Sequence, residues 1–362
     1  MPDACWADAT LAETPQGYFI MEMNWHQALQ QSLTWLAIAS FITFACFAIA
    51  AALAVRYARW GQQFWQVAGP YFNPKRSWQP LLGFAALLIL TLFSVRLEVL
   101  FSYWYNGFYS ALQGLDQTAF WSLLGVFAIL ATIHVLRSLV AFYVSQAFSI
   151  RWRVWLTERL TRDWTQDDAY YRGRFVSEPV DNPDQRIELD ASVFVSSSLT
   201  LALGAVSALV SLVAFTGILW GLSAPLTVSG IDIPRAMVFA VYVYVLLATW
   251  VAFRLGKPLI KLNFLNEKLT ATFRYALMRM RENAENIAFY QGGTLERHTL
   301  LGRFGALILN AWALVFRNLK FSGFNLGVSQ VAVVFPFILQ APRFFSGAIK
   351  LGDVMQTSQA FG

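Results

Sequence analysis

The sequence is poor in charged residues. Only 13% of its 362 residues are charged, whereas 57% are hydrophobic. Soluble domains contain about 25% charged and about 45–50% apolar residues, so this chain has too few charges to cover its apolar surface with a hydrated layer. The composition therefore excludes a soluble globular protein and indicates that lipid is the solvent.

Cysteine and histidine are also scarce. Cys5 and Cys46 lie far apart, and Cys46 lies within an apolar run, so neither a disulfide framework nor a metal knuckle is expected. His26, His134 and His298 form no H-E-x-x-H motif and no nucleophile-base spacing, which argues against a membrane protease or acyltransferase. We therefore expect no catalytic residue and no metal site in this chain.

Long apolar runs are the main feature of the sequence. A helix that spans a membrane needs about 20 mostly apolar residues. Six segments meet this requirement: Leu33 to Val55, Leu81 to Trp104, Trp121 to Phe148, Leu199 to Leu222, Ala236 to Leu255 and Phe321 to Ala341. The N-terminal stretch has acidic residues but no basic region, so it does not resemble a signal peptide. The first apolar run is therefore predicted to remain as a span.

The basic residues alternate between the connections. Segments 56–80, 149–198 and 254–320 hold four, seven and eleven of the 27 Lys and Arg residues, while 1–32 and 105–120 hold none. Because basic loops are retained in the cytoplasm, we predict an outside N-terminus and three inside segments of a multi-pass membrane protein. Bases that flank spans indicate a lipid bilayer as partner and exclude nucleic acid as the explanation of the +6 net charge.

Two of the inside segments carry helical patterns. Apolar residues recur at three- and four-residue steps from Trp152 to Trp164, and again from Leu262 to Ile287, where Gln291-Gly292-Gly293 is predicted to supply the terminating turn. Glu282 and Glu285 share one helix face at a spacing of three residues. This spacing suits either acid/base chemistry or a contact surface, and the lack of a companion histidine favours the contact surface.

Four ionisable residues fall within the predicted spans: Arg96, Glu98, His134 and Arg137. Charged groups inside a membrane usually face a cavity or a bundle interior, so these four are candidate cavity or transport residues. His134 and Arg137 share a helix face, whereas Arg96 and Glu98 point in different directions. The alternative is that Arg96 reaches outward to the interface and Arg137 closes an ion pair between helices.

Several strings resemble a known family. WRVWLTERLTRDW from Trp152, DNPDQRI from Asp181, NEKLTATFRYA from Asn266, ENIAFYQG from Glu285 and GDVMQTSQAF from Gly352 are similar to the BacA/SbmA-type ABC transporter membrane domain. The resemblance is closest to the ATP-driven peptide and cobalamin importers of mycobacteria-like bacteria, and more distant to peroxisomal fatty-acyl half-transporters. It covers the chain from about Arg56 onward.

The resemblance implies an all-α, exporter-type (type IV) transmembrane bundle whose inside loops dock onto ATP-binding domains. The implied first docking element is Asp181, Asn182, Pro183, Asp184, Gln185 and Arg186, and the implied second is Glu282, Asn283, Glu285, Asn286 and Gly292. The implied function is that of a homodimeric permease in the bacterial inner membrane for large hydrophilic solutes such as peptides or cobalamin. These docking residues would act mechanically, since stiff helices can transmit a rigid-body motion.

The sequence lacks a G-x-x-x-x-G-K-[ST] phosphate loop. We therefore expect no cofactor in this chain, with ATP and Mg²⁺ bound by an ATP-binding domain downstream or on another chain. The residues from Gly347 to Gly362 are expected to begin a seventh span, with a short exposed tail as the alternative. The predicted organisation is an outside segment (1–32), an extra N-terminal span (33–55), an inside linker (56–80) and the transmembrane domain (81–362).

Two further functions remain open. A proton-coupled SbmA/BacA-like peptide transporter would need no ATPase, and a fatty-acyl ABC half-transporter would share the same fold. The first predicts uptake that collapses with a proton ionophore while ATP remains.

Overall fold

A computed structural model describes residues 11–13, 19–21, 25, 27–172, 175, 186–223, 226–228, 231–233 and 235–361. Its described helices are α1 (Ala28–Tyr57), α2 (Arg59–Ala68), α3 (Gln79–Gln113), α4 (Gln117–Thr165), α5 (Ala169–Arg172), α6 (Ala191–Leu222), α7 (Ala236–Glu282), α8 (Ala284–Phe289), α9 (Gly293–Phe345) and α10 (Leu351–Phe361). Short 3₁₀ and π turns cover Gln166–Asp168 and Arg186–Asp190. The described strands form two antiparallel hairpins, β1 (Leu11–Glu13) with β2 (Phe19–Met21) and β3 (Leu226–Val228) with β4 (Ile231–Ile233).

The six predicted spans lie within α1, α3, α4, α6, α7 and α9, all of which are long and apolar enough to cross a membrane. The prediction of an all-α membrane protein with six spans is therefore confirmed, and short hairpins are the only strands in the described parts of the chain. The helix from Trp152 to Trp164 is also confirmed, because α4 continues to Thr165. The chain divides into two compact units, residues 1–221 with 347–360 and residues 222–346 with 361–362.

In the first unit, α3 and α4 pack as an antiparallel pair joined by a short turn. The N-cap residue of α4 is Asp116, whose carboxylate accepts a hydrogen bond from the backbone N–H of Ala119 at 3.0 Å. At the same end, the buried Trp104 indole donates to the Leu123 carbonyl at 2.7 Å. This bond satisfies the indole N–H within an apolar cluster and sets the level of one helix against the other.

The opposite end of this pair is covered by aromatic side chains. Tyr71, from the segment after α2, stacks on Trp152 with ring centroids 5.6 Å apart and an interplanar angle of 5°. Phe148 and Trp155 of α4 complete the cluster, and the start of α6 packs against it through Val195. The predicted inside linker is thus packed onto the helices by aromatic contacts.

The second unit is built on a long antiparallel hairpin of α7 and α9. The 47 residues of α7 would measure about 70 Å at 1.5 Å per residue, against about 30 Å of hydrocarbon. The two helices therefore continue well beyond the predicted spans. Side-chain contacts tie them along this extension: Arg317 to the Leu255 carbonyl at 3.1 Å, Asn310 to the Leu262 carbonyl at 3.1 Å, Arg303 to the Thr272 carbonyl at 3.3 Å and Arg279 to Glu296 at 3.6 Å.

The end of the hairpin differs from the sequence prediction. The helix that was predicted to continue through Ile287 ends at Glu282, and the separate helix α8 follows from Ala284. Gln291, rather than either glycine, takes the left-handed conformation, with φ of 54°. The turn predicted at Gln291-Gly292-Gly293 does separate two helices, but Gly293 already begins α9 and neither glycine takes the left-handed conformation. The break at Asn283 was not predicted, because the apolar periodicity continues across it.

Candidate coupling tip and intramembrane charges

The second predicted docking element lies at the tip of the α7–α9 hairpin. Asn283 links α7 to α8, and its side-chain amide donates to the Arg279 carbonyl at 2.9 Å, so it satisfies a carbonyl at the end of α7. Glu282, Asn283, Glu285 and Asn286 are all exposed, whereas Gly292 is half-buried. The structure thus brings these five residues together on and beside one short helix.

Two aromatic residues at this tip were not among the predicted site residues. The side chains of Phe289 and Tyr290 are 82% and 79% exposed, although their rings contact each other edge to face at 5.4 Å. Neighbouring exposed aromatic rings at the end of a polar helix are typical of surfaces that bind another protein. Both residues lie within the ENIAFYQG string, of which only Glu285, Asn286 and Gly292 were predicted to be docking residues.

A groove of ≈ 560 Å³ adjoins the tip. It is lined by Met280 of α7, by Ala284, Ile287 and Ala288 of α8, and by Gln291, Gly293, Thr294 and Arg297. Small and apolar residues form most of this surface, with one cation at its edge. This arrangement can receive an apolar side chain of a partner, and it contains no group suited to covalent or acid/base chemistry.

The first predicted docking element can be located only in part. Asp181, Asn182, Pro183, Asp184 and Gln185 lie outside the described residues. Arg186 begins the π turn and pairs with Asp190 at 3.8 Å, and both side chains are 58% exposed. Exposed ion pairs contribute about 0–1 kcal/mol, so this contact indicates a polar surface rather than a strong structural tie.

Arg96 and Glu98 lie on different sides of α3. Arg96 is buried, and its Nε donates to the Ser32 hydroxyl at 3.1 Å while its guanidinium lies 5.7 Å from the Trp35 ring centroid. These contacts tie α3 to the N-terminal helix α1. Glu98, by contrast, is exposed and accepts a 3.4 Å hydrogen bond from Ser94.

The other two intramembrane charges lie near Glu98. Arg137 donates to the Leu90 carbonyl at 3.2 Å. Glu98 interacts electrostatically with Arg137 and His134, but among the described residues it forms no direct ion pair with either side chain. The Nδ1 of His134 and the Nε of Arg137 are buried without a hydrogen-bond partner among the described residues. The structure thus groups three of the four charges across α3 and α4, and it separates Arg96 from them.

Residues 67–345 match the family described as ABC transporter transmembrane region 2. This match covers most of the helices described above. The chain belongs to this ABC transporter family. Within the described residues there is no group of three His, Cys, Asp or Glu side chains that could hold a metal ion.

Individual ABC transporters resemble the chain over most of its length. An uncharacterized ABC transporter ATP-binding protein of Haemophilus influenzae is 46% identical over 93% of this chain and 57% of its own length. The chloroplastic ABC transporter D family member 2 of Arabidopsis thaliana is 35% identical over 83% of this chain and 41% of its own length. Human lysosomal cobalamin transporter ABCD4 is 28% identical over 79% and 45%. The chain thus spans about half the length of these relatives.

The chain also contains a polar contact between helices that was not predicted from its sequence. The Asn106 side-chain amide of α3 donates to Asp353 at 3.0 Å and to Gln356 at 2.6 Å on α10. The backbones approach so closely that a Cβ on Gly352 would overlap the Asn106 carbonyl. The only feature of the sequence that marked this part of α10 was the GDVMQTSQAF string, which does not indicate that α3 is its partner.

Proposed function

We propose that this chain is the transmembrane permease part of an ATP-driven ABC transporter in the bacterial inner membrane, and that it works as a homodimer. Family membership supports the transporter role, and the names of the relatives support an ATP-binding partner. Two copies follow from the need of two ATP-binding domains to enclose nucleotide between them. An ATP-binding domain, in cis or in trans, would bind ATP and Mg²⁺.

The observation that carries this proposal is the tied α7–α9 hairpin with its exposed tip. Contacts recur from Arg317 near the predicted span to Arg279 near the tip, so a push on α8 is passed along a braced pair of helices. Phe289 and Tyr290 would provide apolar anchors, with Glu282 and Glu285 as the polar rim. The first predicted docking element, which ends at Arg186, would form the other contact with the ATP-binding domain.

The tip is tested by solute uptake and solute-stimulated ATP hydrolysis in the full-length transporter. The Phe289→Ser/Tyr290→Ser variant is expected to dock onto the ATP-binding domain about 30-fold more weakly. Aromatic anchors that become buried at such surfaces contribute about 2 kcal/mol or more to binding. The matched control is Phe264→Ser/Tyr275→Ser, which removes two rings that are 72% and 64% exposed from the shaft of α7. The proposed tip would be contradicted if both variants kept coupled transport, or if only the control variant lost it.

The proposed substrates are large hydrophilic solutes, either peptides or cobalamin-like molecules. The name of the human relative supports the second class, and the resemblance described in the sequence analysis supports both. Exposed Glu98 with His134 and Arg137 would line a water-filled path. Uptake of labelled cobalamin, labelled peptide and acyl-CoA by reconstituted transporter distinguishes these solutes from fatty-acyl transport.

The same three charges favour one second candidate, the proton-coupled peptide transporter. A carboxylate beside a histidine in a membrane is a group that can exchange protons during transport. That function predicts that an ionophore abolishes uptake in vesicles that contain ATP. Persistence of ATP-dependent uptake under the same conditions would contradict it.

A further inference from the structure

A second groove, of ≈ 460 Å³, lies between α7 and α9 and is separate from the tip. It is lined by Pro258, Lys261, Leu262 and Leu265 of α7 and by Ala313, Phe316, Arg317 and Lys320 of α9. The transport function proposed above does not use this groove. The groove lies within the second compact unit, and α7 and α9 form its two walls.

The level of this groove relative to the membrane follows from two contacts. Arg317 Nε donates to the Leu255 carbonyl at 3.1 Å. The Phe321 ring lies 3.4 Å from the position that a Cβ on Gly256 would occupy. The predicted span in α7 ends at Leu255, and the predicted span in α9 begins at Phe321. The basic segment 254–320 joins these two ends. The groove therefore lies at the boundary between hydrocarbon and water, on the side predicted to be inside.

The groove carries positive charge without local compensation. Lys261 and Lys320 are exposed, and no carboxylate of the described residues pairs with either lysine or with Arg317. The sequence has no Asp or Glu between residues 236 and 266 or between residues 297 and 345. Three cations thus converge on one opening in a region that lacks acidic residues, which attracts an anion.

The floor of the groove is apolar. Leu262, Leu265 and Ala313 lie beside Phe316, whose side chain is 59% exposed. Apolar surface exposed at the water boundary is stabilised by contact with a hydrocarbon chain, because that contact removes it from water. A ligand that satisfies both parts of the groove needs a phosphate at one end and an acyl chain at the other.

We propose that this groove binds an anionic phospholipid of the inner leaflet. The headgroup phosphate contacts Lys261, Arg317 and Lys320, and an acyl chain covers the floor formed by Leu262 and Phe316. Basic pockets between membrane helices on the cytoplasmic side are suited to anionic headgroups. Lipid is favoured over a free phosphate because the apolar floor adjoins the predicted spans.

The test is native mass spectrometry of the full-length protein in detergent, titrated with phosphatidylglycerol or phosphatidylcholine. Lys261→Gln/Lys320→Gln should weaken phosphatidylglycerol binding by about 30-fold, because each cation near a membrane surface contributes about fivefold. Phosphatidylcholine binding should stay unchanged. The matched control Lys268→Gln/Arg281→Gln removes the same charge further along the shaft, and it should change binding by about twofold or less because distant surface charges are screened.

A second variant tests the apolar floor without changing charge. Ala313→Trp should fill the groove and displace phosphatidylglycerol, whereas Ala306→Trp, on an exposed part of the same helix, should not. Equal losses in the lysine variant and its control would assign binding to general surface charge and overturn the proposal. Glycerol phosphate that binds as tightly as the lipid would overturn the acyl contact. A change in oligomer mass with unaltered lipid binding would assign the groove to contact between copies instead.

Discussion

The contact between α3 and α10 allows a quantitative test of the fold. Asn106→Leu removes two hydrogen bonds, at 3.0 Å to Asp353 and at 2.6 Å to Gln356, and leaves both acceptors without this donor. A bond to a carboxylate contributes about 1.5–3 kcal/mol and a neutral bond about 0.5–1.5 kcal/mol, so we expect the free energy of unfolding to fall by about 2–4 kcal/mol. Gln356 is 1% exposed, which limits rescue by water.

The assay is reversible denaturation in mixed micelles, followed by tryptophan fluorescence. Asn263→Leu is the matched control, since Asn263 is an exposed asparagine on α7. A double-mutant cycle of Asn106→Leu with Gln356→Leu should give a coupling free energy of about 1 kcal/mol. The reasoning is refuted if Asn106→Leu destabilises the protein no more than the control does, within about 0.5 kcal/mol.

Three other outcomes are expected. Gly352→Ala should lower the free energy of unfolding by about 1–3 kcal/mol in the same assay, because its Cβ would overlap the Asn106 carbonyl. Burial raises the pKa of Tyr71 above its ordinary value of 10.0, against a smaller lowering by the Arg151 charge. The folded phenol therefore keeps its proton where the unfolded one loses it, so stability should fall as pH rises above about 10, and Tyr71→Phe should reduce that fall. In a Cys5→Ser/Cys46→Ser background, an impermeant maleimide on intact cells should label a cysteine placed at Gln117 and should not label one placed at Lys268 if the N-terminus is outside.

Much of the helical fold was predictable because the membrane imposes a simple rule on sequence. A segment that crosses hydrocarbon must satisfy its backbone groups internally, so each long apolar run indicates one helix. The six runs were therefore located within the six long helices, and the amphipathic continuation to Trp164 was located within α4. The break at Asn283 was not predictable, since the apolar spacing on its two sides stays in phase.

The candidate site was predictable only where a residue's role follows from local sequence. The polar residues of the tip form one short string, and the structure keeps them together. Arg96 needed the position of Ser32, which lies 64 residues away, before its contact with α1 could be recognised. Asn106 likewise contacts residues 247 and 250 positions away. Contacts of this length depend on helix packing, for which the sequence carries no local signal.

A proline interrupts α7 beside one of the contacts that join α7 to α9, near the predicted membrane boundary. Pro258 lacks the N–H that would bond to the Arg254 carbonyl, and a helix interrupted in this way tends to bend. Arg317 donates to the adjacent Leu255 carbonyl, so α9 supports α7 at the point where α7 would otherwise yield. The proposed coupling role of α8 would require that a force applied at the tip reach the spans, and this contact would let two helices carry that force past the proline.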